Sequence, residues 1–110
     1  MKIKVMRPSR WEHPGEFPTF EKGTPVSLAK EEDAEFLGWY ACEISGYQSY
    51  VPKVFVSEGK LTRDYNPTEL IQETGDILEV QEIVYAWILA TNDQGKTGWI
   101  PAECVMSVSV

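Results

Sequence analysis

Short apolar runs broken by turn residues organise most of this 110-residue chain. Ile77-Leu78-Glu79-Val80, Trp87-Ile88-Leu89-Ala90-Thr91 and Gly98-Trp99-Ile100 are rich in apolar and β-branched residues, which suit a pleated, half-buried surface. Val26-Ser27-Leu28, Trp39-Tyr40-Ala41-Cys42-Glu43-Ile44 and Tyr50-Val51 are their counterparts upstream. Turns are expected at Ser45-Gly46 and at Asn92-Asp93-Gln94-Gly95. Pro52 and Pro101 each follow an aromatic–β-branched pair and end a strand, because proline cannot donate to the ladder. The stretch Pro8 to Pro18 reads as a long irregular loop, and Ser27 to Phe36 offers at most a turn or two of helix. Many short strands separated by turns predict an all-β protein of small antiparallel barrels.

The strands recur as a repeat. WYACEISGYQSYVPKVFV (39–56) and WILATNDQGKTGWIPAECV (87–105) share an opening tryptophan, a glycine-containing turn and an aromatic–Val/Ile–Pro ending. Trp39 precedes Pro52 by 13 positions and Trp87 precedes Pro101 by 14. Upstream, Gly23-Thr24-Pro25-Val26-Ser27-Leu28 matches Gly75-Asp76-Ile77-Leu78-Glu79-Val80. A period of about fifty residues means one fold used twice. The expected division is a first copy over 1–57 and a second over 58–110, joined by Ser57-Glu58-Gly59-Lys60. Units of about 55 residues bury little core alone, so the two are expected to pack on each other.

Charge narrows the partners. The formal net charge is −7; residues 1–57 carry 7 basic and 8 acidic groups, and 58–110 carry 3 and 9. This sign disfavours nucleic acid, whose phosphates need a basic face, and favours a basic peptide or protein surface. The N-terminal run Met1-Lys2-Ile3-Lys4-Val5-Met6-Arg7 alternates and lacks the apolar stretch of a signal peptide, and no segment is long enough for a membrane helix. A cytoplasmic protein with no membrane partner is expected. Cys42 and Cys104 occupy different positions of the repeat, which favours free thiols over a symmetric disulfide.

With these motifs in order, the chain resembles the Src homology 3 domain, twice. Asp64-Tyr65 is similar to the end of that family's ALYDY motif. Glu69-Leu70 with Gly75-Asp76-Ile77-Leu78-Glu79-Val80 resembles its ELSF…GDILEV block, and 98–105 (GWIPAECV) its G-[YLF]-I-P-S-N-Y-V ending. The first copy matches from Phe20-Glu21-Lys22-Gly23 to Val56. The layout also looks like small bacterial proteins of two such domains. The resemblance implies two five-stranded Src homology 3-like barrels in tandem, acting as a non-enzymatic module that binds an extended, proline-rich or basic peptide in aromatic grooves. It places Trp39, Tyr50, Pro52 and Phe55 in the first groove and Tyr65, Trp87, Trp99 and Pro101 in the second. Glu69 and Glu73 would select a basic peptide residue, with Glu12, Glu16, Glu31, Glu32, Asp33 and Glu35 near the loops of the first copy. Phe55, Arg63 and Cys104 each replace a motif tyrosine. No aromatic stands in Met6-Arg7-Pro8-Ser9-Arg10, where the first copy should carry ALYDY, and Trp11 has no assigned place.

Other chemistry finds little support. His13 is the single histidine, so metal ligation and nucleophile–histidine catalysis have no recurring spacing to rest on. Gly95-Lys96-Thr97 lacks the upstream glycine of a phosphate-binding loop. No cofactor is expected. The rival to a peptide binder is a structural or regulatory subunit whose aromatic faces are used up in packing, with self-association open. A cell-wall-binding relative is a further alternative. Burial of Trp39 and Trp87 separates the first two readings.

Overall fold

The computed structural model describes residues 1–8 and 16–108. It contains ten strands: β1 (Lys2–Val5), β2 (Val26–Leu28), β3 (Trp39–Ile44), β4 (Tyr47–Pro52), β5 (Val56–Ser57), β6 (Lys60–Leu61), β7 (Ile77–Val84), β8 (Trp87–Thr91), β9 (Thr97–Pro101) and β10 (Val105–Val108). Single 3-10 turns, Lys53–Phe55 and Ala102–Cys104, follow β4 and β9, and no α-helix occurs among the described residues. The fold is all-β, as expected. The sheets are open ones of five, three and two strands rather than closed barrels. The helical turn expected within Ser27 to Phe36 is absent: β2 ends at Leu28 and bends follow. There the Asp33 carboxylate accepts the N–H groups of Glu35 and Phe36 at 2.8 and 2.9 Å, a local bonding pattern that competes with helix.

The two similar segments share local geometry at their tryptophans and prolines. In β3–β4 Trp39 lies opposite Pro52, and in β8–β9 Trp87 lies opposite Pro101. Both prolines are extended (φ −68° and −63°) and lead into the 3-10 turns. The next N–H then reaches back to the residue before the tryptophan: Lys53 to the Gly38 carbonyl at 2.8 Å, Ala102 to that of Ala86 at 2.7 Å.

The compact units nevertheless differ from the expected boundaries at 57/58. One unit combines Met1–Glu16 with Thr68–Val110; the other is the continuous stretch Phe17–Pro67. The second is therefore an insertion in the first. The cause is local. Glu58 (φ 52°) and Gly59 (φ 75°) form a two-residue turn that pairs Val56 with Leu61 and Ser57 with Lys60. Positive φ at both central residues fits the twist of adjoining strands, and glycine adopts it freely. What reads as a linker is a hairpin, and β6 stays with the strand before it.

The discontinuous unit then takes its remaining strand from the N-terminus. Its sheet runs β10-β1-β7-β8-β9, all pairs antiparallel. Alternation along β1 turns Ile3 and Val5 inward and leaves Lys2 and Lys4 outside. Ile3 (3% exposed) and Val5 (0%) join Leu70, Leu78, Ile88, Ala90, Ile100 and Cys104 in the core. Burying each of the Ile, Val and Leu side chains contributes on the order of 1.5–3 kcal/mol. Strand β7 pairs with β1 through Ile77–Glu79 and with β8 from Glu79 onward, with a register shift between Val80 and Glu82 that bends it.

In the inserted unit, β2-β3-β4 form one sheet and β5-β6 a hairpin bridged to it by Pro25 and Lys60. Its two chain ends are clamped. Phe20 and Tyr65 exchange backbone bonds at 2.8 Å, and the Asn66 amide donates to the Phe17 carbonyl at 3.1 Å and to Thr19 Oγ1 at 3.2 Å. An unstructured loop of that length would cost roughly 3–4 kcal/mol to close, beyond a constant, so holding these ends together favours the discontinuous unit.

Close packing at Gly98 is testable. A Cβ there would meet Leu70 N at 2.9 Å, Leu70 Cβ at 3.0 Å and the Thr68 carbonyl at 3.1 Å, and backbone cannot yield as a flexible side chain does. Gly98→Ala is expected to lower stability in urea melts by about 1–3 kcal/mol through overpacking. Gly46→Ala, with nothing within 4 Å but a φ of +84°, isolates the conformational cost of about 1–2 kcal/mol.

Candidate functional site

The hairpin at Glu58–Gly59 regroups the expected groove residues. Tyr65, assigned by sequence to the second copy, lies in the inserted unit with Trp39, Tyr50, Pro52 and Phe55. Trp87, Trp99 and Pro101 lie in the discontinuous unit with Glu69 and Glu73.

In the inserted unit these residues pack on one another. The Tyr65 hydroxyl donates to the Tyr50 carbonyl at 2.6 Å, and its ring meets Phe55 edge-on, centroids 5.6 Å apart. The Arg63 guanidinium lies 4.3 Å over the Phe55 ring, a cation–π contact. Phe55 lacks the hydroxyl of the tyrosine it replaces, and a buried ring with an apolar edge needs no further partner. Sequence reasoning missed the neighbouring group of Phe17, Phe20 and Tyr47, whose rings also meet edge-on at 5.9 and 5.6 Å. Their separation of about thirty positions gave no local signal.

Seven of the eight expected groove positions are buried: Trp39, Pro52, Phe55, Tyr65, Trp87, Trp99 and Pro101. Tyr50 is half-buried. Ile88 and Ala90 belong to the core cluster while Trp87 does not. Trp87 is only 6% exposed all the same, and Trp39 only 5%. Neither tryptophan presents an open aromatic face.

The expected acidic positions also have local roles. Glu69 is half-buried and bridged in parallel to Trp99; around it the Leu70 N–H donates to the Trp99 carbonyl at 2.8 Å and the Trp99 N–H to that of Thr68 at 3.0 Å. Glu73 is exposed and its N–H donates to Asp76 Oδ2 at 3.0 Å. That carboxylate oxygen also accepts from the buried Gln72 amide at 2.7 Å, and Asn92 donates to Gln72 Oε1 at 3.0 Å, so polar side chains fasten this segment to the β8–β9 turn. Glu16 pairs with Lys96 at 3.0 Å on the surface. Trp11, Glu12 and His13 lie outside the described residues.

An open depression of about 570 Å³ occurs between β2 and β3 of the inserted unit, lined by Glu31, Glu32, Asp33, Ala34, Glu35, Leu37 and Tyr40. Its rim is held by its own carboxylates. Asp33 caps the N–H groups of Glu35 and Phe36, Glu32 Oε2 accepts from Gly38 at 2.8 Å, and the Asp33 N–H donates to the Trp39 carbonyl at 2.7 Å. Glu31 and Glu35 are exposed, and Leu37 beside them is 69% exposed. Four carboxylates around an exposed leucine and a tyrosine can attract a cation and offer apolar contact to the stem that carries it.

Cys42 and Cys104 are free thiols and both are buried. Burial pushes the Cys42 thiol up to about 12, which leaves it protonated and a poor nucleophile at neutral pH. Among the described residues no group of His, Cys, Asp and Glu could hold a metal ion, and no helix is long and apolar enough to cross a membrane.

Against known families, residues 59–107 match the model described as Variant SH3 domain. A variant SH3 domain, of a family that generally mediates protein interactions, is thus found in that stretch. No curated protein and no solved structure matches the chain. The matched stretch is continuous in sequence yet begins inside the inserted unit, at 59–67, and continues in the discontinuous one.

Two measurements probe this geometry. Tyr65→Phe removes the bond to Tyr50 while keeping the ring, and is expected to cost about 1 kcal/mol in chemical denaturation. For Cys42 the folded pKa exceeds the unfolded one, so the folded state holds the extra proton and stability falls as pH rises from about 9 towards about 12. The stability difference between the native chain and Cys42→Ala should be flat below pH 9 and shift against the native chain above it.

Proposed function

We propose that the chain is a non-enzymatic protein-interaction module that captures a basic segment of a protein partner at the depression formed by residues 31–40, with its groove aromatics serving the packing of Src homology 3-like units. The observation that carries this reading is a contrast of exposure. Seven of eight expected groove positions are buried, while Glu31, Glu35 and Leu37 stand open around a depression large enough for a Lys or Arg side chain and its neighbour.

The physical argument follows from what each surface offers. Docking of a polyproline II segment needs exposed aromatic ridges with prolines seated between them. Tryptophans at 5–6% exposure offer no such ridge. Carboxylates at a loop select by charge and speed encounter, while affinity comes from the apolar contact beside them. The net charge of −7 supports the same sign of partner. Glu32 and Asp33 shape the loop by accepting backbone N–H groups, which leaves Glu31 and Glu35 as the groups that meet the ligand.

The test is a titration of isotope-labelled protein with a Lys/Arg-rich peptide and with its acetylated, neutral counterpart. Saturable amide shifts confined to residues 31–40, weakened roughly 2–5-fold by each of Glu31→Gln and Glu35→Gln and further by added salt, are expected for the basic peptide alone. Saturable shifts of the Trp39 or Trp87 indole N–H signals by a neutral proline-rich peptide, with residues 31–35 unmoved, would return the site to the aromatic grooves.

A further inference from the structure

The two sequence copies do not coincide with the two compact units, because each copy supplies a strand to the unit built mainly from the other. Strand β1 comes from the first copy but lies between β7 and β10 of the second. Strand β6 and the segment to Tyr65 come from the second copy but complete the unit of the first. We infer that this reciprocal sharing locks the halves 1–58 and 59–110 into one body, so that the peptide bond between Glu58 and Gly59 can be cut without releasing either.

The contacts spanning that cut are numerous and lie at both ends of the chain. For β1, the Val5 N–H donates to the Asp76 carbonyl at 2.9 Å, the Gly75 N–H to that of Val5 at 2.7 Å, and the Val80 N–H to that of Met1 at 2.8 Å. The Met6 N–H donates to the Cys104 carbonyl at 2.8 Å. Ile3 and Val5 are core residues of the second half's sheet. For β6, the Leu61 N–H donates to the Thr24 carbonyl at 2.9 Å, the Gly23 N–H to that of Leu61 at 2.8 Å, and the Thr62 N–H to that of Phe55 at 2.8 Å. Tyr65 adds two backbone bonds to Phe20, the hydroxyl bond to Tyr50 and the ring contact with Phe55. Two domains folded each from its own copy would share none of these, and a cut between them would leave both complete.

Separation therefore requires stripping a central strand from one sheet and the β6–Tyr65 segment from the other unit at once. Breaking either alone exposes Ile3 and Val5, or Leu61 and Tyr65, all of which are at most 3% exposed in the intact chain. The cut site itself is accessible: Glu58 and Gly59 are exposed, and a Cβ at Gly59 would meet nothing within 4 Å. An exposed two-residue turn tolerates both insertion and nicking.

The experiment inserts a specific protease sequence between Glu58 and Gly59 of the full-length chain and compares it before and after cleavage. The cleaved protein is expected to elute with the uncut one on size exclusion, to keep its far-ultraviolet spectrum after dilution, and to resolve into two fragments only in denaturant. Fragments that part in native buffer would overturn the inference. Lys4→Cys with Met106→Cys provides a second reading in the uncut chain, since Lys4 and Met106 are exposed register partners in β1–β10 at a spacing a disulfide spans. Oxidation should give a cross-linked monomer. No cross-link, or one joining two chains, would show that β1 does not serve its own chain's second half.

Discussion

The pairing of β5 with β6 across Glu58 and Gly59 governs the rest of the architecture. Two residues at positive φ turn the chain back on itself, so the strand that opens the second sequence copy cannot leave the unit that the first copy has just built. The sheet of the second copy is then short of a strand between β7 and β10, and the N-terminal segment fills that gap. From one tight turn follow the insertion of 17–67 into the other unit, the clamp of Phe17–Phe20 against Tyr65–Asn66, and the central place of β1. The turn is favourable because its handedness matches the strand twist, and the strand it delivers buries Leu61 to 2% exposure.

The same constraint determines what the aromatic residues do. Tyr65 reaches Phe55 and Tyr50 because the hairpin carries it back to the inserted unit. A tyrosine that donates its hydroxyl to a backbone carbonyl and places its ring edge-on to phenylalanine has its bonding capacity and its apolar area satisfied internally. Trp39 and Trp87, each opposite a strand-ending proline, are likewise buried. The repeated tryptophan–proline pairing thus acts as a fold element that orients the end of a hairpin and the 3-10 turn after it. In the carboxylate-lined loop between β2 and β3, by contrast, Glu32 and Asp33 accept backbone N–H groups while Glu31 and Glu35 stand exposed.

Chemical reactivity is correspondingly low at the groups described. The Cys42 thiol is held neutral by burial, and Cys104 belongs to the hydrophobic core. Surface pairs such as Arg7–Glu103 at 3.3 Å contribute little to stability.

Much of the local structure was legible in the sequence. The runs beginning at Ile77, Trp87 and Trp39 are strands because apolar and β-branched residues alternate there, and Pro52 and Pro101 end strands because proline cannot extend the ladder. The resemblance over 59–107 is also carried by local motifs. The sequence missed β1, although the alternation of Lys2-Ile3-Lys4-Val5 was present, because a four-residue pattern does not name its partner strand. It placed the boundary at 57/58 because a repeat reports which segments are alike and not which are joined. Glu58-Gly59 reads equally as a linker or as a turn, and only the pairing of Val56 with Leu61 decides it. The burial of Trp39 and Trp87 was undecided for the same reason. Strand periodicity assigns a side chain to a face, and whether that face is covered depends on segments distant in sequence, which only the tertiary structure brings together.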